Sequence, residues 1–337
     1  MIMQLPAKAP WLFWLIAGML LACGRDNQTL PAPTGFLPAH FPPPVYNFAK
    51  NEPTSAGFEL GNALFYDPIT SVDSSISCAS CHFQAHAFSD VVDFSRGVAG
   101  RLGMRNAPPL QNLAWKPHFN ADGGINHLDL QPIAPITNTL EHAFDLNLLF
   151  ERLRQHPSYP QRFMAAFGSD QINDRSLLLA ISQFVGQLIS ADSKYDAVVL
   201  GKSSFSNEEA AGYRLFQQHC NGCHTEPLFS NFDFKRNGYA STTADEGRAQ
   251  VTGKPSDVGK FSVPGLRNIA VTAPYMHDGQ LRSLADVLDS YAQPSQTPDP
   301  RLGTGVQLSP AERSQLLAFL HTLTDVSFLT NPAFKAP

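Results

Sequence analysis

Two stretches of the sequence decide the fold: Cys78-Ala79-Ser80-Cys81-His82 and Cys220-Asn221-Gly222-Cys223-His224. Together they contain four of the five cysteines. The Cys-x-x-Cys-His spacing is the attachment signature of c-type haem, in which both thiols bond to the porphyrin and the adjacent imidazole binds the iron. The sequence therefore predicts two covalently bound haem c groups. Their predicted binding residues are Cys78, Cys81, His82, Cys220, Cys223 and His224.

Other uses of a Cys-x-x-Cys pair fit this sequence less well. A zinc site would need a second Cys or His pair near each motif. A thioredoxin-like dithiol would need a βαβ pattern around it, which the sequence does not show. Neither of these sites, nor a structural disulfide, explains why a histidine follows both pairs.

The composition indicates a folded helical body. The 337 residues carry 16% charged and 43% hydrophobic side chains, which is typical of packed globular proteins. The 23 glycines and 27 prolines indicate long irregular loops between helices. The formal net charge is −5 and no long basic run occurs, so nucleic acid is not an expected partner.

The first fifty residues have the pattern of an export signal followed by a spacer. Lys8 precedes an apolar run, Trp11 to Ala22, that is too short to span a bilayer as a stable helix. The run leads into Cys23 in a pattern that resembles a bacterial lipoprotein cleavage box. We therefore expect a signal peptide at 1–22, lipidated Cys23, and a proline-rich tether at 23–50. An ordinary signal peptide with an incidental cysteine is the alternative.

Export also predicts where the protein works. Bacteria attach c-type haem outside the cytoplasm, so the leader and the haem motifs agree. We expect a lipid-anchored protein on the periplasmic side of a bacterial membrane. The outer membrane is favoured over the inner one because Gly24-Arg25, directly after Cys23, carries no acidic retention signal.

Helical segments are predicted before each haem motif. Ser206 is a predicted N-cap with Glu208 and Glu209 in the first turn, and Ser309-Pro310 followed by Glu312 predicts a second capped helix. The repeated order of helix and motif predicts an all-α fold of two tandem cytochrome c-like domains, 51–200 and 201–337, joined by long irregular loops. The predicted helices are Gly57–Phe65, Leu146–Gln155, Tyr159–Phe167, Asp174–Ile189, Ser206–His219, Ser283–Ala292 and Pro310–Leu323.

Further stretches occur in a fixed order around the haem motifs. They are Leu60–Asp67, Ile76–His82, Arg105–Pro108, Asp122–Glu141, Val251–Gly253, Val263–Asn268 and Thr272–Gly279. In this order, from about residue 50 to the C-terminus, the chain resembles the bacterial dihaem cytochrome c peroxidases and their MauG-type relatives. The resemblance implies an oxidoreductase that uses hydrogen peroxide.

The resemblance assigns different tasks to the two haems. The first haem, with His82 as proximal ligand, would be the peroxidatic one, in the N-terminal domain. Its distal pocket would hold Gln131, Pro135 and Glu141, with Glu141 as the acid/base group and Gln131 as an orienting amide. Without the haem context, Glu141 would be interpreted as a solvated loop carboxylate.

The second haem, with His224 on one face, has two candidate ligands on the other. The family places methionine there in peroxidases and tyrosine in MauG-type enzymes, and the matching position here is Tyr291. By pattern alone Tyr291 is a core residue beside Leu288. Met276, the only methionine after the second motif, is the alternative ligand. A phenolate is a harder donor than a thioether and favours ferric iron, so Tyr291 would make this haem a store of oxidising equivalents.

The resemblance also implies a calcium ion between the haems. Asn106, Thr272 and Pro274 match the family's calcium ligands, which are a side-chain oxygen and backbone carbonyls. Oxygen ligands suit calcium. Seen alone, all three are ordinary loop residues.

One position departs from the family pattern. The tryptophan that commonly precedes Asp-Gly between the haems is replaced by Ala121. Trp115 is either a core residue or a substitute relay from another backbone position. Between His82 and Arg105 the only histidine is His86, which we interpret as a surface loop residue, so the first iron is expected to be open at rest.

Three functions remain open at this point. The first is peroxide reduction with electrons from a small cytochrome c or a cupredoxin. The second is MauG-like oxidation of side chains in a partner protein. The third is a dihaem electron carrier without enzymatic activity, in which both irons would carry two protein ligands.

Overall fold

The computed structural model describes residues 36–241 and 243–337, and their secondary structure is mainly helical. Within these residues two short strands, β1 (Phe234–Lys235) and β2 (Phe261–Ser262), pair antiparallel. The helices are α1 (Ser55–Tyr66), α2 (Ile133–Thr137), α3 (Leu146–Gln155), α4 (Tyr159–Phe167), α5 (Asp174–Val185), α6 (Lys194–Val199), α7 (Asn207–His219), α8 (Ala249–Thr252), α9 (Leu284–Ala292), α10 (Pro310–His321) and α11 (Val326–Thr330).

The mainly helical prediction is confirmed, but the strictly all-α prediction missed the ribbon of β1 and β2. Strands of two residues leave no alternating pattern to read. The predicted helix Asp174–Ile189 ends earlier, at Val185. The segment predicted as its last turn bonds to Asn112 instead of continuing the helix. Asn112 donates its backbone N–H to Leu188 O at 2.8 Å, and its Oδ1 accepts the Ser190 N–H at 2.9 Å.

The capping signals act as predicted. Ser206 Oγ accepts the Glu209 N–H at 3.2 Å, and Glu209 Oε2 accepts the Ser206 N–H at 2.7 Å. Ser309 and Glu312 form the same reciprocal pair, with a proline at the first helical position. Each box satisfies N–H groups that have no partner inside the helix, so α7 and α10 begin where the sequence places them.

Two hydrophobic cores are present among the described residues. The larger one surrounds α1 and α5 and includes Phe65, Phe88 and Phe184. The smaller one lies between α7 and α10 and is centred on Phe319. Those two helices touch at Gly212, where a Cβ would come within 1.8 Å of the Gln315 carbonyl oxygen. A glycine is required there because any side chain would push α7 off α10.

The C-terminal tail returns to the larger core. Phe328 and Phe334 contact the ring of Phe88 edge-on, with centroid distances of 5.8 and 6.4 Å. The Asn62 amide donates to the carbonyls of Ala333 and Lys335 at 3.2 and 3.0 Å. The last residues of the range assigned to the second domain therefore complete the core around the first haem motif.

The described part of the predicted tether also packs on the larger core. Phe41, Tyr46 and Phe48 are buried, and Tyr46 donates its backbone N–H to Ala114 O at 2.9 Å. Residues 36–50 are therefore not a free spacer, because their aromatic side chains are part of the core. The predicted signal peptide, Cys23 and the beginning of the tether lie outside the described residues. None of the helices in the described ranges is long and apolar enough to cross a membrane.

A buried ion pair joins the two halves of the chain. Arg267 Nη1 and Nη2 donate to the two carboxylate oxygens of Asp196, each at 2.8 Å, and both side chains are 1% exposed. His40 Nε2 lies 2.8 Å from Asp196 Oδ1. The Phe41 ring lies 4.6 Å from the guanidinium carbon. This cluster fixes the N-terminal segment, α6 and the 263–268 loop together.

Candidate active site: two haem-attachment centres

The first haem motif folds into a single tight turn. Cys78–Ser80 is a 3₁₀ turn, and Ser80 Oγ accepts the Ser77 N–H at 3.0 Å. The His82 N–H closes the turn on Cys78 O at 3.1 Å. Both cysteines are free thiols, so the turn presents two nucleophiles and an imidazole from five consecutive residues.

The His82 ring is oriented for metal binding. Its Nδ1 lies 2.6 Å from the carbonyl oxygen of Phe88, which leaves Nε2 as the nitrogen for iron. Such a hydrogen bond fixes the tautomer and the ring plane of a ligating histidine. Burial lowers the pKa of His82, so the ring is kept in the neutral form that a metal requires.

The second motif repeats this arrangement at the end of α7. The His224 N–H donates to Cys220 O at 2.9 Å. His224 Nδ1 lies 3.1 Å from the carbonyls of both Phe229 and Pro264, and burial lowers the pKa of the ring. Cys220 and Cys223 are free thiols. At both motifs the unpaired thiols and the oriented neutral imidazole fit a covalently attached haem.

Glu141 lies beside the first motif. In the unmodified chain, burial raises the pKa of the Cys78 thiol to about 12, and the charges of Cys81 and Glu141 add to the rise. Glu141 likewise raises the pKa of Cys81, after the larger effect of burial. The Glu141 carboxylate is therefore near enough to both attachment cysteines to raise the pKa of each thiol.

The Glu141 carboxylate is held by its own loop. Asn138 Nδ2 donates to Glu141 Oε1 at 2.7 Å, and Val98 donates its backbone N–H to Glu141 O at 2.9 Å. Burial raises the pKa of Glu141, and the Asn138 hydrogen bond partly opposes this rise. The side chain is thus both positioned and shifted toward the protonated form.

Gln131 and Pro135 lie on the same stretch of chain as Glu141. Gln131 O accepts the Ala134 N–H at 3.2 Å, and Pro135 O accepts the His142 N–H at 3.2 Å. These bonds fold α2 against the Glu141 turn. The structure therefore places Pro135 beside the Glu141 turn, with Gln131 just before α2 on the same segment.

Tyr291 lies beside the second motif. Burial raises its pKa to about 12, a hydrogen bond from Asn237 opposes the rise, and the charges of Cys220 and Cys223 add to it. Met276, the alternative ligand, is close to the same asparagine, because Asn237 Nδ2 donates to Met276 Sδ at 3.3 Å. Both candidate ligands of the second iron thus lie around one amide group.

Comparison with known proteins identifies the family of this chain. The model of the di-haem cytochrome c peroxidase family matches residues 55–204. The cytochrome c551 peroxidase of Nitrosomonas europaea is 33% identical over 285 residues, which are 83% of this chain and 82% of that protein. The chain belongs to the dihaem cytochrome c peroxidase family. The resemblance inferred from the sequence motifs is confirmed.

The family includes MauG-type proteins that are equally similar to this chain. Methylamine utilization protein MauG of Methylorubrum extorquens is 36% identical over 274 residues, which are 78% of this chain and 77% of that protein. The crystal structure of a MauG-like protein associated with microbial copper homeostasis matches with a TM-score of 0.79 at 30% identity. That match covers 89% of this chain and 98% of the other. The haem c cofactors follow from membership of this dihaem family.

The loops that the family resemblance assigns to calcium meet in the structure. Asn106 donates its backbone N–H to His277 O at 2.8 Å, which ties it to the loop that carries Thr272 and Pro274. Asn106 Nδ2 donates to Val92 O at 2.9 Å, so Oδ1 is the side-chain atom left for a cation. Within the described ranges no group of three or more His, Cys, Asp or Glu side chains could hold a metal.

The region around Ala121 contains an aromatic ring from the second half of this dihaem peroxidase. Ala121 O accepts the Ser262 N–H at 2.8 Å. The neighbouring Gly123 is covered by Phe234, whose ring atom Cζ would lie 2.3 Å from a Cβ at that glycine. Arg248 lies over the Phe234 ring at 4.3 Å. A phenylalanine is harder to oxidise than the family's tryptophan, so this contact does not replace its chemistry.

Trp115 and His86 each form a hydrogen bond with a backbone carbonyl of a distant segment. Trp115 is 2% exposed, and its indole N–H donates to Pro42 O at 2.7 Å. His86 is half-buried, and its Nδ1 lies 2.9 Å from Val271 O. His86 thus lies in a short 3₁₀ turn with a partly exposed side chain, and its ring contacts the 269–272 turn of the second half.

Sequence reasoning missed several residues that shape the site. Asn138 donates to Glu141 and Asn237 donates to Met276. His142, next to Glu141, is buried with its Nδ1 3.0 Å from Thr70 O. The three-residue spacing between Asn138 and Glu141 could have suggested their contact. Asn237 has no such local signal, because its partners are distant in the sequence.

Proposed function

We propose that the protein is a dihaem c-type peroxidase that reduces hydrogen peroxide at the haem held by Cys78, Cys81 and His82. The observation that carries this proposal is Glu141, a partly buried carboxylate beside the attachment cysteines of that haem. A carboxyl whose pKa is raised by burial near a haem-attachment motif favours proton-transfer chemistry over electron transfer alone. The bound haem would supply the electrons that break the O–O bond.

Glu141 is the proposed proton carrier. Peroxide must lose a proton from one oxygen and gain one on the oxygen that leaves as water. Asn138 holds Oε1, which leaves Oε2 to take and return the proton. A carboxyl with a raised pKa exchanges protons closer to neutral pH than an ordinary glutamate does. Gln131 is the proposed orienting amide and Pro135 a proposed wall of the pocket.

The second haem is the proposed store of oxidising equivalents, with His224 and Tyr291 as its ligands. The position of Tyr291 next to Cys220 and Cys223 supports this assignment. The Met276 sulfur is already engaged by Asn237, which disfavours it as the ligand. A tyrosine ligand also supports a second candidate function, the MauG-like oxidation of side chains in a partner protein.

Several finer features belong to the same proposal. The cores around the two motifs are proposed to be tandem cytochrome c-like domains, 51–200 and 201–337. A calcium ion bound by Asn106 Oδ1 and the carbonyls of Thr272 and Pro274 would stabilise the junction of their loops. Cys23 is proposed to anchor the protein to lipid on the periplasmic side of the membrane, where a small cytochrome c or cupredoxin would deliver electrons.

The decisive experiment measures peroxide consumption by the purified dihaem protein supplied with a reduced small cytochrome c. The proposed function predicts steady turnover and a ferric spectrum with one high-spin haem. A spectrum with only low-spin haem and no peroxide consumption would instead identify an electron carrier.

A second experiment separates the two enzymatic candidates. Peroxide is mixed with the fully oxidised protein without prior reduction, and the optical spectrum is followed. A MauG-like enzyme responds immediately, whereas a peroxidase that needs a half-reduced state responds only after one electron is added.

A further inference from the structure

The side chain of Asn237 has a fixed orientation. Its Oδ1 accepts the backbone N–H of Tyr239 at 3.1 Å. Because a backbone N–H can only donate, the oxygen of the amide must face Tyr239 and the nitrogen must face the opposite way. The NH₂ group of Asn237 is therefore directed at its other neighbours.

Those neighbours are the two candidate ligands of the second iron. Asn237 Nδ2 donates to Met276 Sδ at 3.3 Å, and the same side chain lies near enough to Tyr291 to act on its phenol group. A primary amide carries two N–H donors, so one amide can hold the sulfur and the phenol oxygen at once.

The loop that carries Asn237 is tied to the chain around α9. Arg236 O accepts the Asp299 N–H at 2.7 Å, and Gly238 O accepts the Gln296 N–H at 3.0 Å. Gly238 has a φ of +83° and lies so close to Pro294 that a Cβ would come within 2.5 Å of it. Asn237 is thus held in a rigid position relative to the end of α9, where Tyr291 lies.

Only one of the two side chains could complete the coordination of an iron that His224 would hold. A thioether raises the reduction potential of a haem, whereas a phenolate stabilises ferric iron. We propose that Asn237 is a positioning residue that restrains Met276 and so leaves Tyr291 as the oxygen ligand for the second haem. This inference rests on the proposed ligation by His224 and Tyr291.

The test replaces the amide by groups of similar size. Asn237→Leu removes both the donors and the acceptor. Asn237→Asp keeps the acceptor for the Tyr239 N–H and removes the donors. We expect both ferric proteins to gain the far-red sulfur-to-iron charge-transfer band of a His/Met haem, with a change in the low-spin electron paramagnetic resonance signal. The double variant N237L/M276L should lose the new band.

Asn231→Leu is the matched control. Asn231 forms the same kind of turn in the same segment, with Oδ1 3.1 Å from the Asp233 N and Nδ2 3.2 Å from the Asp233 carboxylate. Its removal should leave the low-spin signal unchanged. Haem content and circular dichroism confirm that every variant is folded and loaded.

Two results would overturn the inference. One is an unchanged low-spin signal in both Asn237 variants, and the other is a change to high-spin iron without the sulfur band. If His224 and Tyr291 do not ligate the second haem as proposed, the result is different. In that case the wild-type protein already shows the sulfur band, or Tyr291→Phe leaves the low-spin signal unchanged.

Discussion

Asn138 donates from Nδ2 to Glu141 Oε1 at 2.7 Å, while its own Oδ1 accepts the Leu140 N–H at 3.0 Å. Asn237 repeats this arrangement near the second motif, with Oδ1 on the N–H two residues ahead and Nδ2 on a candidate iron ligand. In one place the asparagine turn points its amide nitrogen at the proposed acid/base group, and in the other it points at Met276, the alternative iron ligand. The backbone N–H determines the direction of each amide, so the donor is available before any substrate binds.

Replacing Glu141 by glutamine should abolish most of the peroxidase activity. Glutamine preserves the acceptor for Asn138 but cannot take a proton from peroxide. General acid–base catalysis contributes about 10²- to 10⁴-fold, and we expect a loss of that size in kcat/KM for peroxide. Steady-state peroxide consumption measures it. Glu151→Gln, on the exposed face of α3, is the control, and full activity in the Glu141 variant would remove this residue from the mechanism.

The pH dependence of kcat/KM for peroxide should change when Asn138 is replaced. Burial raises the pKa of Glu141, and the Asn138 hydrogen bond lowers it by stabilising the carboxylate. Asn138→Asp keeps the acceptor for the Leu140 N–H, removes the donor and adds a negative charge, so the pKa of Glu141 should rise further. Because Glu141 must be ionised to accept a proton, the acid limb of kcat/KM should move to higher pH, with the high-pH plateau retained.

Asn173→Asp provides the comparison for that profile. Asn173 caps α5 through the Ser176 N–H at 3.0 Å, and an aspartate caps equally well. The acid limb of kcat/KM for the Asn173→Asp variant should coincide with that of the wild-type protein. An acid limb of the Asn138 variant that stays in place or moves to lower pH would contradict the assignment of Glu141 as the base.

Features set by neighbouring residues were predictable from the sequence, and features set by distant contacts were not. Two kinds of feature can be recognised from adjacent residues alone. They are the capping boxes at Ser206 and Ser309 and the two haem motifs, each of which lies within five consecutive residues. Asn237 and Met276 are 39 residues apart, and Arg267 and Asp196 are 71 apart. Such pairs leave no periodic pattern, because only the folded chain brings them together.

The C-terminal tail should support the first proximal histidine. Phe328 contacts the ring of Phe88, whose carbonyl oxygen holds His82 Nδ1. Phe328 is 2% exposed, and truncating a buried phenylalanine costs about 3–5 kcal/mol. Phe328→Ala should lower the free energy of unfolding by that amount and shift the ferric spectrum of the first haem. Val326→Ala, at a side chain that is 65% exposed, should change neither, and an unchanged spectrum in the Phe328 variant would refute the link to His82.

Breaking the buried ion pair should destabilise the whole protein. Arg267→Met leaves the Asp196 carboxylate buried with only His40 and Ser193 as polar partners. Removing one partner of a buried pair costs about 3–5 kcal/mol. The exposed pair of Arg313 and Asp289 is the control, since solvent screens exposed ion pairs and Arg313→Met should have little effect on the free energy of unfolding. Denaturant unfolding measures both, and equal effects would show that burial of the Arg267 pair adds nothing.

The same pair predicts how stability changes in acid. Burial opposes ionisation of Asp196, but the hydrogen bonds and charge of Arg267 prevail and lower its pKa from 3.8 to about 2. A carboxyl with a lower pKa in the folded state stabilises the protein fully above its unfolded pKa. That contribution is lost as the pH falls from about 4 toward about 2. The destabilisation caused by Arg267→Met should therefore be largest at neutral pH and shrink across this window. If Arg267→Met destabilises the protein equally at neutral pH and between about pH 4 and about pH 2, then Arg267 does not lower the pKa of Asp196.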